Sequence, residues 1–382
     1  MEYFKRIENI DSIKELKRKL RKKKDMNSTE ISKHVASLFY DLIQNSINEK
    51  TITTHSQLIN LVSYFSKVFT AIDPVQFCIG NTIKRILHII REVIKTNNED
   101  QNKDILTNKI EEAKKNMKLL KNFDFTQINK KDNEENKETQ NEKEELNDPI
   151  TESDKDKILE EIGNIISEIE SISQTIIDQK EIKDLIAEGD IILTSNYSQQ
   201  VVEILAENAK TKKFKVFVCE SAPLLREKSQ AEELRKRKLD TVVIEDDDIY
   251  SVMNKFTKVK VLLGAKAILV NGGLITYGGA YNVCLLASMF SNPVIIAGGT
   301  TKLTPMYSFK HELYNEYLSP DLILGKNMDY QGDISSIQFN NPSLDYVPPN
   351  LITMYATDIG ILNPNYLYKN FNEMYDLEDY EI

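Results

Sequence analysis

The sequence predicts an α/β protein: an N-terminal helical domain followed by a Rossmann-like, doubly wound, mostly parallel sheet domain. Three observations carry this. Apolar residues recur at helical spacing up to about residue 95, short β-branched runs alternate with amphipathic stretches after Gly189, and a polar tract separates the two regions. A chain of 382 residues is long enough for two domains with buried cores.

In the first region Val35, Leu38, Phe39, Leu42 and Ile43 fall at i, i+3, i+4, i+7 and i+8, one face of a 3.6-residue period. Ile83, Ile86, Leu87 and Ile90 repeat the pattern within GNTIKRILHIIREV. Lys84, Arg85 and Arg91 interrupt that stripe and are expected to face water or a partner. From about 97 to 154 the chain is dominated by Asn, Lys, Glu, Asp and Gln, and cannot bury enough surface to offset its ordering entropy. It is predicted to be a disordered insertion, within which 105–123 carries the pattern of a short helix. Helical periodicity returns from about 155 to 187, with Ile158, Ile162, Ile165, Ile169, Ile172 and Ile176 in register. The domains are therefore set at 1–187 and 188–382.

Beyond Gly189, the runs 190–195, 214–221, 240–246, 258–264, 267–272 and 293–299 are almost continuously apolar, as parallel strands covered on both faces require. Stretches 198–211, 223–238, 247–256 and 276–290 between them read as helices, giving a doubly wound sheet. Glu232 with Lys236 and Glu233 with Arg237 make i,i+4 pairs on a solvated face of the second. After residue 300 prolines break the pattern, and 364–375 reads as a last short helix with Pro364 in its first turn.

Composition excludes several functions. A net charge of −10, no Trp and 8% aromatic residues argue against direct nucleic-acid binding. No run approaches the length of a membrane-spanning helix. The N-terminal stretch has no apolar signal core and is rich in acids, unlike a transit peptide, which predicts a soluble cytosolic (cytoplasmic) protein. Cys78, Cys219 and Cys284 are far apart and form neither a disulfide framework nor a zinc spacing.

The remaining candidates have plain structural readings. The glycines of NGGLITYGGAYN (271–282) fit neither GxGxxG nor a Walker loop; they suit a strand end, a turn with positive φ and a helix start, where an anion could still bind. Asp246, Asp247 and Asp248 sit where a strand gives way to a helix and are read as caps rather than metal ligands. Cys219 and Cys284 read as core thiols. His34, His55, His88 and His311 are scattered, so no catalytic, cofactor-binding or metal site is predicted. The basic run at 14–24 is read as a solvated helix face.

Five strings occur in an order that resembles the regulatory subunits of eukaryotic translation initiation factor 2B. They are GNTIKRILHIIRE (80–92), ILTSNYSQQVVEIL (192–205), FKVFVCESAP (214–223), the stretch 250–287 and NPVIIAGGTTKLTP (292–305). The C-terminal LDYVPPNLITMYATDIGILNPNYLYKNFNEMY (344–375) is similar to the beta branch of that family. The polar tract is unmatched. The resemblance implies a non-catalytic regulatory subunit that supports GDP/GTP exchange on initiation factor 2 and its response to phosphorylation of that factor's alpha subunit. Its implied partners are the alpha, gamma, delta and epsilon subunits and initiation factor 2 itself, with no cofactor and no membrane. By aligned position it implies a subunit interface at Gly189, Asp190, Lys215, Phe217, Asp345 and Tyr346. The fold is shared with isomerases of methylthioribose 1-phosphate and ribose 1,5-bisphosphate, so a sugar-phosphate-binding protein or isomerase is the alternative. Those enzymes place a Cys after the first strand and an Asp in a GAD segment. Here Asn196 and Tyr197, and Lys266, stand instead, which removes the proton-transfer pair. An isolated subunit is also expected to expose apolar surface and self-associate.

Overall fold

Asn27 starts the first helix, α1 (Ser28–Asn48), through a capping box: its side chain accepts from the Glu30 N–H at 2.7 Å, and the Glu30 carboxylate accepts from the Asn27 N–H. The computed structural model describes residues 14, 15, 17, 18, 27–96, 149–221, 227–307, 315–324, 337–376 and 379. Thr54 caps α2 (His55–Thr70), and α3 spans 77–96. Thr151 and Asp154 form a second capping box that starts α4 (Glu152–Asp178), after which α5 (Lys180–Asp184) leads into the sheet. The helices α1 to α4 bury Phe39, Phe65, Phe69, Ile83 and Ile162 in one core. The helix reaching back to 152 shortens the predicted polar insertion; the rest of that insertion, its short helix at 105–123, most of the basic run at 14–24 and His311 lie outside the described residues.

The second half contains β1 (Ile191–Ser195), α6 (Gln199–Asn208), β2 (Lys215–Cys219), α7 (Glu227–Lys236), β3 (Asp240–Ile244), α8 (Ile249–Lys255) and β4 (Val259–Gly264). Then follow β5 (Ala267–Leu269), β6 (Leu274–Tyr277), α9 (Ala280–Met289), β7 (Val294–Ala297), β8 (Leu303–Thr304) and α10 (Asp321–Leu324). The chain closes with β9 (Leu344–Val347), β10 (Met354–Thr357), β11 (Gly360–Leu362) and α11 (Leu367–Met374). Seven strands form one sheet in the order β11-β10-β7-β4-β1-β2-β3, parallel except for the β10–β11 pair. The chain order reverses between β1 and β4, the switch point of a doubly wound fold.

The two halves share α4. Its first turns lie in the helical core, whereas Ile172 and Ile176 join the cluster of Ile192, Val201, Val216 and Ile295 under the sheet. Close approach is allowed because Gly299 has no side chain: a Cβ there would stand 2.4 Å from Ile172 Cγ2.

Several expectations are corrected. Run 267–272 supplies β5 not to the parallel sheet but to a second one, ordered β8-β5-β6-β9, in which β5–β6 and β6–β9 are antiparallel. Residues 276–277, expected to open a helix, end β6, because the Gly272 turn (φ 78°) folds the chain back before Gly279 (φ 92°) releases it into α9. The stretch after 300 holds β9, β10 and β11, strands of three or four residues too short to show a period. Asp246–Asp248 form a 3-10 turn before α8 with no side-chain cap; Asp246 accepts instead from the Ser221 N–H.

Lys84, Arg85 and Arg91 of α3 find partners or burial within the chain rather than open water. Arg85 pairs with Glu168 on α4, and Lys84 is buried, its ammonium pulled down to about 8 by desolvation with Asp379 opposing. Arg91 donates through Nε and Nη2 to the two oxygens of Asp379, which is 0% exposed, at 3.2 and 3.0 Å. His88 Nδ1 stands 3.0 Å from Asp376. The C-terminal segment is thereby fastened to the helical domain, and Tyr375 adds a hydrogen bond from its hydroxyl to the Leu303 carbonyl.

Removing one partner of this buried pair leaves an uncompensated charge, so Asp379→Asn should lose about 3 kcal/mol of stability in a denaturant titration. The pair of His88 and Asp376 sets a pH dependence. The hydrogen bond to Asp376 raises the His88 pKa against the opposing effect of burial. A group whose pKa is raised on folding contributes stability below its unfolded value, and that contribution is lost as pH rises through the folded value. The melting temperature should fall as pH rises above about 6.5, the ordinary histidine value, and His88→Gln should flatten that slope.

Candidate subunit interface

The crevice at the carboxyl ends of β1 and β4 is where this architecture binds small ligands, and here the protein's own side chains cross it. Asn196, at φ 59°, places its N–H 3.0 Å from Ser221 Oγ and donates from Nδ2 to the Gly278 carbonyl at 3.2 Å. Lys266 rests over the Tyr277 ring, 5.2 Å from its centroid. At the start of α9, where an anion could bind, the Asp345 carboxylate accepts from the Tyr281 N–H at 3.1 Å. Burial raises the Asp345 pKa, and backbone bonds from Tyr281 and Gly279 partly offset this. A phosphate approaching that helix end would meet a carboxylate already in place.

The three thiols are buried. Desolvation pushes Cys78 up to about 11 and Cys284 up to about 12, and raises Cys219 as well. Among the described residues no group of three or more His, Cys, Asp or Glu side chains could hold a metal ion, and no helix is long and apolar enough to cross a membrane.

The six residues marked as an interface fall in two places. Gly189 (φ 78°) is exposed in the turn entering β1, its N–H bonded to the Lys213 carbonyl at 2.8 Å. Asp190 is buried, accepting from the Ala187 N–H and from Lys260 Nζ, both at 2.7 Å. Lys215 stands 3.9 Å from Asp240 and 5.7 Å over the Phe217 ring. Phe217 is itself buried against Phe256, with ring centroids 5.7 Å apart. Gly189 and Lys215 are thus presented, while Asp190 and Phe217 hold the strand entries in place. Asp345 and Tyr346 lie in the second sheet. The Tyr346 hydroxyl accepts from Asn271 Nδ2 at 2.9 Å, and its ring covers Gly273, where a Cβ would meet it at 2.5 Å.

Sequence reasoning missed the outer face of α9. Tyr281, Leu285 and Met289, at i, i+4 and i+8, are all exposed, Met289 by 68%, and exposed Tyr250 packs edge-on against Phe290 beside them. The inner face buries Val283, Cys284 and Ala287. The signal existed in the sequence: a helix apolar all round has more than one face to bury.

The α/β half is thus a doubly wound domain whose ligand crevice is crossed by its own side chains and whose helix α9 carries an exposed apolar stripe. Residues 27–364 match the Initiation factor 2 subunit family, and the chain belongs to that family. It is 31% identical over 362 residues to translation initiation factor eIF2B subunit beta of Schizosaccharomyces pombe, covering 88% of this chain and 90% of that protein. To the beta subunit of Dictyostelium discoideum it is 28% identical over 374 residues, 94% of each chain. The Dictyostelium alpha subunit matches at 29% over 222 residues, 57% of this chain and 68% of that protein. The crystal structure of eIF2B beta from Chaetomium thermophilum has the same fold, with a TM-score of 0.64 and 18% identity over 97% of this chain and 92% of that one.

With every cysteine buried and its thiolate disfavoured, a thiol reagent at pH 8 should label none of the three in the native protein and all three after denaturation.

Proposed function

We propose that this chain is a beta-type regulatory subunit of translation initiation factor 2B, with no chemistry of its own. The observation that carries this is the near full-length match to two beta subunits, where the alpha subunit matches little more than half the chain. In this role it supports GDP/GTP exchange on initiation factor 2 and the response to phosphorylation of that factor's alpha subunit. Its partners are the delta, alpha, gamma and epsilon subunits and initiation factor 2, and it works in the cytosol.

Pairing with delta runs through the α/β half. A related chain has been crystallised as a tetrameric eIF2B-beta2-delta2 complex, which supports this reading. The α9 stripe supplies the apolar contact, and Asp345 and Tyr346 fix the helix start and the adjoining strand that present it. Gly189 and Lys215 form a second contact at the strand entries, on a scaffold set by Asp190 and Phe217. The absence of chemistry is supported by Asn196 and Lys266 standing where the related isomerases carry their thiol and carboxylate, and by Asp345 at the anion position.

Sedimentation of the purified chain with and without a delta subunit tests the proposal. The chain alone should self-associate through its apolar face, and adding delta should give a defined hetero-oligomer. Leu285→Glu with Met289→Lys should weaken that assembly by at least about tenfold while the melting temperature stays within a few degrees, because both side chains already face water. A monodisperse monomer indifferent to delta would sink the assignment, and heat released on titrating ribose phosphates into it would bring the isomerase reading forward.

A further inference from the structure

The two edges of the main sheet are finished differently. At one end β11, a short antiparallel strand turned through Gly360, closes the sheet. At the other end β3 has no neighbour beyond it among the described residues. The Glu220 N–H donates to the Ile244 carbonyl at 2.9 Å, so the peptide groups of Ile244, Val242 and Asp240 point toward β2. Strand alternation then turns the N–H and C=O groups of Thr241 and Val243 outward along the open edge.

Edge strands are normally protected by proline, bulges, inward charges or a covering element. Residues 240–244 contain no proline, and Val243 at mid-strand is 50% exposed. By register Val243 is opposite Val218, on the face that α6 and α7 cover over β2, yet that cover stops short of it. Beside the start of β3 stand Arg235, Lys236 and Lys238, all exposed and without an ion pair to a described carboxylate; of the two pairs expected along 223–238, Arg237–Glu233 forms and Lys236–Glu232 does not. Lys213, in the loop entering β2, is also exposed. Asp240 at the strand's start stands 3.9 Å from Lys215, and acids follow the strand at Glu245, Asp247 and Asp248, so the edge is positive at its start and negative at its end in a chain of net charge −10.

We propose that the β3 edge is a docking site for an extended segment of a partner protein, which adds as an eighth strand and carries acidic residues where it passes Arg235, Lys236 and Lys238. Main-chain bonds to Thr241 and Val243 supply the pairing, a β-branched side chain of the guest covers Val243, and the basic group selects an acidic end. The half-apolar, open strand favours a peptide over a nucleic acid, which would use the cations and leave the valine wet.

The probe is a labelled peptide of three glutamates followed by alternating valine and threonine, added to the full chain and followed by anisotropy and amide hydrogen exchange. Saturable binding should slow exchange at Thr241 and Val243. Arg235→Glu with Lys236→Glu, or replacement of the peptide's glutamates by lysine, should weaken binding about tenfold. Val243→Pro removes an outward N–H that no internal ladder bond uses, and should abolish binding. Val243→Lys leaves the backbone intact and should also block docking, while Val243→Thr should retain it, so a folding defect in the proline variant leaves the test intact. Unchanged exchange at both amides, or equal binding of the lysine peptide, would overturn the proposal. So would an RNA hairpin bound through Arg235 and Lys236 with neither amide protected.

Discussion

A parallel sheet must be covered on both faces, and α4 satisfies much of that requirement while belonging to another core. Its early isoleucines complete the helical bundle, and Ile172 and Ile176 sit under β1, β2 and β7. One rigid helix therefore fixes the position of the bundle relative to the sheet. The bare backbone at Gly299 makes this possible, and α5 continues directly into the turn before β1, where Lys212 and Lys260 donate to the carbonyls of Lys183, Leu185 and Ile186. These lysines satisfy a helix end that would otherwise be buried without partners.

The C-terminal segment secures the same junction from the opposite side. Arg91 and His88 on α3 hold Asp379 and Asp376, and the Tyr375 hydroxyl donates to the Leu303 carbonyl in β8. Burial disfavours the Asp376 anion, but the hydrogen bond and charge of His88, with Lys95 and Arg91, more than compensate and hold its pKa below the usual value. The helical half and the α/β half thus act as one body, and a subunit gripped by either half carries the other with it.

The helices and the parallel strands were legible because their signals are local. Period 3.6 marked α1, α3 and α4, and continuous apolar runs marked β1 to β4 and β7. What stayed illegible depended on distance or brevity. Residues 267–272 have the composition of a buried parallel strand, and only the return of the chain through Gly272 and its pairing with β9, some seventy residues later, reveal a second sheet. Arg91 was expected to face water or a partner protein, because the carboxylate that holds it lies 288 positions away in the same chain. The α9 stripe was hidden in the opposite way. A helix apolar on all sides reads as thoroughly buried, and only the packing shows that Tyr281, Leu285 and Met289 are exposed.

The fate of each charge distinguishes structural from functional surface more sharply than its sequence context does. Lys84, Arg85, Arg91, Lys212 and Lys260 interrupt apolar patterns, yet internal carboxylates and carbonyls engage or oppose all of them. Arg235, Lys236 and Lys238 look like an ordinary solvated helix end, yet among the described residues they have no carboxylate partner and the adjoining strand β3 has no neighbour on its outer side. Asp345 follows the same logic in the second sheet, where its carboxylate accepts from the helix start that a phosphate would need. The chain thus directs charge inward at the crevice and at the junction of its two halves, and leaves charge and apolar side chains exposed on the outer faces of α7, β3 and α9.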